Sequence, residues 1–89
     1  MTSDTRRSDI EARVLAAITR LFGIAPSDLG PTSHMDELPA WDSMGHMELI
    51  VTLERDFGVS LPTYRLHELV SVPVIVDALL ELDAGGAAT

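Results

Sequence analysis

The chain predicts an all-α fold, a small four-helix bundle with a long first loop and a short third helix. Three observations predict it. Apolar residues recur at helical spacing in three separate stretches. Two of those stretches end in the same device, Phe22-Gly23-Ile24 and Phe57-Gly58-Val59. There a glycine stops the helix in the left-handed conformation and the next apolar residue packs back on the last turn. Cap-type residues, Ser8, Asp42 and Ser71, stand just ahead of the three stretches.

Taken in order, residues 1–7 are polar and are expected to form a disordered tail. Residues 8–83 form the folded domain, and 84–89 a flexible Ala/Gly end. Ser8-Asp9-Ile10-Glu11 fits a capping box, so the first helix is expected over 9–22, with Ile10, Val14, Leu15, Ile18, Leu21 and Phe22 as its apolar stripe. Residues 24–41 are a long connection broken by Pro26, Gly30, Pro31 and Pro39. Ile24, Leu29, Met35 and Leu38 can anchor it, and a short helical turn is expected near 27–29. The second helix runs from Asp42 or Ser43 to Phe57 and buries Leu49, Ile50, Leu53 and Phe57. Met44, Met47, Glu48, Val51, Glu54 and Arg55 fall on its other faces. A short third helix is expected over 62–69, with Tyr64, Leu66 and Leu69 pointing inward. Ser71 caps the last helix, Pro73 is harmless in its first turn, and Ile75, Val76, Leu79 and Leu80 form its stripe.

Composition excludes several functions. The chain has 89 residues, enough for one domain, and its aromatics are 4%, so the core is aliphatic. It has no cysteine, which rules out disulfides, thiolate metal sites and a cysteine nucleophile. The net charge is −8, and beyond residue 20 only Arg55 and Arg65 stand against eleven acids. That balance opposes nucleic-acid binding and favours steering toward basic partner surfaces. No apolar run reaches membrane-spanning length, and none follows Arg6-Arg7 as in a secretion signal. A cytoplasmic monomer with no membrane partner is expected. His34, His46 and His67 lack metal-ligand spacing, so no metal is expected.

Ser43 is the residue with available chemistry. A serine at a helix start ordinarily caps an amide. Here Asp42 can take that role, which places Ser43 at the first helical position with its hydroxyl spare. A phosphate attached to that hydroxyl would meet unpaired N–H groups and the positive end of the helix. His46, three residues on, lies on the same side of the helix, so a Ser–His hydrolase is conceivable, but no third member or oxyanion donor is evident. No catalytic residue is therefore assigned. An unmodified helical adaptor, binding a partner through the second helix, is a further alternative.

Several stretches together resemble the acyl carrier protein family: Ser8-Asp-Ile-Glu-Ala-Arg-Val, Phe22-Gly-Ile, Trp41-Asp-Ser-Met, the run from Leu49 to Pro62, and Leu69-Val-Ser-Val. The resemblance covers about residues 8–82, in order and with matching spacing. It implies an acyl-carrier-like bundle in which Ser43 receives 4'-phosphopantetheine from coenzyme A through a separate Mg²⁺-dependent phosphopantetheinyl transferase. The arm's thiol then carries an acyl group as a thioester, which gives a cysteine-free chain thioester chemistry. It also implies that basic patches of partner enzymes read the second helix through Met44, Met47, Glu48, Val51 and Glu54, with Asp42 helping the transferase. Met44 stands in place of the family's usual Leu, and Gly45 where fatty-acid carriers usually have an acid. Asp-Ser-Met-Gly is similar to D-alanyl carriers and to discrete carriers of specialised pathways of the polyketide or nonribosomal peptide type. The expected partners are the transferase, an acyl- or amino-acid-activating enzyme and a downstream synthase. The carrier itself is not an enzyme, and a fatty-acid carrier is the alternative.

Overall fold

A computed structural model of the chain describes residues 2–62 and 66–88, with side chains placed for 5–62 and 66–82. Helix α1 spans Thr2–Phe22. Ile10, Val14, Ala17 and Ile18 recur at the spacing of one helix face, and all four are buried. The helix begins seven residues before the expected start at residue 9. Thr2 to Arg7 contain no Gly or Pro to break the helix, and Arg7 forms an ion pair with Asp77 near the far end of the chain. Ser8 is therefore an exposed position inside the helix and not its cap. At the other end Gly23 stands at φ 64° and its N–H donates to the Thr19 carbonyl at 3.0 Å, the expected left-handed stop.

The connection that follows is tied down at both ends. Two 3₁₀ turns, Pro26–Asp28 and Met35–Glu37, shape it. The first matches the expected turn. The second is closed reciprocally: the Asp36 N–H donates to His34 Nδ1, and the His34 N–H donates to Glu37 Oε1. The Met35 N–H donates to the Val70 carbonyl at 2.7 Å and the Val72 N–H to the Ser33 carbonyl at 2.9 Å. These bonds fasten the loop to the start of the last helix through an antiparallel His34–Ser71 bridge.

Helix α2 spans Ser43–Phe57 and ends at Gly58, φ 65°. Leu49, Ile50 and Leu53 are buried as their spacing requires, and Phe57 is half-buried beneath the Arg13 guanidinium, 3.9 Å from its ring centre. Arg13 also donates to the Asp56 carbonyl, and Arg20 pairs with the Asp56 carboxylate, so α1 is held to the end of α2. Helix α3 spans Val72–Ala88 and buries Val72, Ile75, Val76, Ala78 and Leu79. The Ile75 N–H reaches the Ser71 carbonyl, consistent with Ser71 at its threshold. The helix continues through residues 84–88, which were expected to be a flexible end.

α1 packs against both α2 and α3. The described residues thus hold three α-helices where four were expected. The expected helix over 62–69 lies partly outside them, Tyr64 included; none of its described residues, 62 and 66–69, is helical, and 66–68 form a turn closed by the Leu69 N–H to the Leu66 carbonyl. Leu69 is fully buried, so this segment still seals the core. The chain is all-helical, with a long first loop as expected. No helix among the described residues is long and apolar enough to cross a membrane.

Candidate functional site: the N-terminus of α2

The six residues Trp41 to His46 build the start of α2, and each does a different job. Asp42 is the N-cap, extended at φ −95° and ψ −176°, and its Oδ1 accepts the Gly45 N–H at 2.8 Å. The His46 N–H donates to the Asp42 carbonyl at 2.7 Å, closing the first turn. Ser43 is consequently the first helical residue and is exposed. Among the described residues its hydroxyl has no hydrogen-bond partner, because the aspartate has taken the capping role.

Trp41 and His46 flank this turn as the residue before the cap and the fourth residue of the helix. Those are the positions that fix how the chain approaches a helix, usually by apolar contact. Here the contact is polar as well. Trp41, 1% exposed, donates its indole N–H to His46 Nδ1 at 3.1 Å. An indole nitrogen can only donate, so Nδ1 carries no proton. The ring's Nε2–H then donates to the Leu66 carbonyl at 2.8 Å. His46 is buried, with both ring nitrogens committed, and it ties α2 to the turn at 66–68. That disposes of the Ser43–His46 hydrolase, since neither nitrogen is available to take a proton from Ser43. His46 instead packs α2 against the turn at 66–68.

Gly45 has a packing role that outweighs its cost in helix propensity. A Cβ there would stand 2.5 Å from Phe22 Cε1 and 3.2 Å from Asp42 Oδ1. Phe22 has little room to retreat, because its ring stacks on Trp41 with centroids 6.3 Å apart. Glycine at this position lets the end of α1 lie against the first turn of α2. Gly45→Ala gains well under about 1 kcal/mol of helix propensity this close to the helix end but forces this stack apart, a cost of about 1–3 kcal/mol. The expected result is a lower midpoint in urea unfolding; a midpoint equal to or above that of the unsubstituted protein would contradict the close approach.

The remaining expected partner-facing residues separate into two groups. Met44, Met47 and Val51 are 84%, 52% and 55% exposed, and Glu48 is exposed beside them. Glu54 departs from that set. It is half-buried, and its Oε2 accepts the Leu61 N–H at 2.8 Å, so it holds the chain after Gly58. Reading residues by helix face alone placed Glu54 on the surface, and the loop amide that recruits it lies seven positions away. Trp41, His46 and Phe22 were also missed as parts of the site. The one available signal was the five-residue spacing of Trp41 and His46 around an Asp cap.

An exposed alcohol, freed from capping at the positive end of a rigidly held helix, suits covalent attachment of an anionic group. Comparison with known proteins gives the family. The phosphopantetheine attachment site family matches residues 12–79, and the chain belongs to that family. Its prosthetic group is 4'-phosphopantetheine. Among curated proteins, the chain is similar to acyl carrier protein 2, mitochondrial, of Arabidopsis thaliana, 25% identical over 71 residues. That alignment covers 80% of this chain and 56% of the relative, so the chain spans little more than half that protein's length.

Proposed function

We propose that the chain is an acyl or aminoacyl carrier that bears its cargo on a 4'-phosphopantetheine arm at Ser43 and moves it between enzymes of a specialised biosynthetic pathway. When bound, the arm supplies a terminal thiol on which an acyl group is held as a thioester. The protein's own residues supply anchorage and presentation. Ser43 offers the oxygen. Asp42 takes the Gly45 N–H and leaves the earlier amides of the turn unclaimed. Those amides and the positive helix end suit a phosphodiester on Ser43. Trp41 and His46 fix the direction of the helix, so the attachment point stays in place while the arm moves.

The single observation that carries this reading is the exposed Ser43 hydroxyl beside an aspartate that already performs the capping. The Asp-Ser-Met-Gly run supports a specialised pathway. The relative's name, an acyl carrier protein, favours a second reading as a general acyl carrier of the fatty-acid type. The test is direct. Incubated with coenzyme A, Mg²⁺ and a broad-specificity phosphopantetheinyl transferase, the protein is expected to gain the mass of one arm, and Ser43→Ala is expected to gain none. An unchanged mass for the folded unsubstituted protein would favour an unmodified adaptor.

A further inference from the structure

The bridge from Trp41 through His46 to Leu66 holds a titratable ring in the interior, and attachment chemistry at Ser43 makes no use of it. His46 is 6% exposed. Its Nδ1 has one lone pair, and the Trp41 indole N–H occupies it at 3.1 Å. A proton on Nδ1 needs that same lone pair. The two cannot be held together, because a protonated ring sets its own N–H against that of the indole. The Nε2–H bond to the Leu66 carbonyl survives protonation, since Nε2 is a donor in either form.

The charged groups around the bridge are engaged elsewhere or exposed. On α2 itself, Asp42 stands one turn earlier with its Oδ1 on the Gly45 N–H, and Glu48 is exposed. In the loop that ends at Trp41, Asp36 and Glu37 are exposed. In the turn that holds Leu66, His67 and Glu68 are exposed, and Arg65 lies outside the described residues. The end of α1 brings Phe22 to Trp41, while Arg20 is paired with Asp56, and on α3 Asp77 is paired with Arg7. Both ring nitrogens of His46 thus meet uncharged groups, and the bridge offers an added proton no carboxylate. His34 differs. Its Nδ1 also accepts an N–H, from Asp36, but the Asp36 carboxylate lies 3.7 Å from that nitrogen, so protonation there gains an ion pair. His67, being exposed, takes a proton in water. In a chain of net charge −8, added protons otherwise relieve self-repulsion. At His46 a proton costs a buried contact.

We propose that the bridge is an acid-released latch: protonation of His46 at Nδ1 frees the Trp41 indole, and with it the end of the first loop that leads into Ser43, while Leu66 stays bound and Asp42 still caps α2. The latch stands on the bridge alone, whatever Ser43 carries. The proton binds the released form and not the latched one. The latch is therefore closed at higher pH and opens as pH falls through the range in which a free imidazole titrates, about 6–7.

The test follows hydrogen exchange of the indole N–H by NMR, a single signal because the chain has 1 Trp. Protection is taken relative to free tryptophan at the same pH. Between about pH 7.5 and about pH 5.5 the indole is expected to lose roughly tenfold in protection, the change in released population that one imidazole proton produces. The backbone amide of Leu53, fully buried in α2, is expected to hold within about twofold, since the release is local. His46→Gln supplies an acceptor and a donor but does not titrate, and its indole protection is expected to stay within about twofold over the same range. Unchanged indole protection in the unsubstituted protein would overturn the proposal, and that result needs no variant to fold. So would an equal loss at Leu53, which marks general unfolding, or the full loss repeated in folded His46→Gln, which would assign it to another group.

Discussion

Trp41→Ala is expected to remove a large share of the protein's stability. The indole is 1% exposed, stacks on Phe22 and donates its N–H to His46, so three elements lose a shared contact when it is removed. Truncating a buried aromatic of this size costs about 3–5 kcal/mol. A chain of this length has about 4–13 kcal/mol in all, at roughly 0.05–0.15 kcal/mol per residue. Trp41→Phe separates the two contributions. It keeps a ring on Phe22 but leaves His46 Nδ1 without a donor, for a loss of about 1–3 kcal/mol. Urea unfolding followed by far-ultraviolet circular dichroism measures both. Equal losses for the two variants would mean that the hydrogen bond dominates. A negligible loss for Trp41→Ala would contradict the placement of Trp41 in the core.

His46→Leu is the second large effect. Leucine fits a buried helical position, but it strands the Trp41 N–H and the Leu66 carbonyl together. Each buried group left unpaired costs about 1–3 kcal/mol, so about 2–6 kcal/mol is lost if both stay dry. In a domain of this size that lowers Tm by at least about 10 °C. The functional expectation runs the other way. Below its unfolding midpoint, His46→Leu is expected to accept the arm on Ser43, because the histidine holds the helix and takes no proton from the serine. A Tm within two or three degrees of the unsubstituted protein (less than about 1 kcal/mol) would contradict the buried bridge. Loss of arm acceptance with normal stability would return His46 to a direct role at the serine.

These two residues also mark how far the sequence could be read. The inner face of α2 was legible because one period places Leu49, Ile50 and Leu53 together whatever they pack against. The stops at Gly23 and Gly58 were legible because a left-handed residue is a local requirement. Ser43 was legible for the same reason, since its freedom depends on the neighbouring Asp42. Trp41, Phe22 and His46 were not, because their roles come from contacts between α1, α2 and the turn at 66–68, and no local pattern encodes those contacts. Glu54 misled because its charge suggests solvent until the chain folds back and offers the Leu61 amide. The start of α1 misled in the opposite direction. A good capping box at Ser8 looked like a boundary, but the Arg7–Asp77 pair sits in a turn ahead of it that is already helical.

The most direct measurement maps the arm to a residue. Protein treated with coenzyme A and a phosphopantetheinyl transferase is digested and its peptides are sequenced by mass spectrometry. One arm is expected on the peptide containing Ser43, with Ser3, Ser8, Ser27, Ser33, Ser60 and Ser71 unmodified. An arm found on any of those six, or none on folded protein, would contradict the assignment of Ser43 as the anchor.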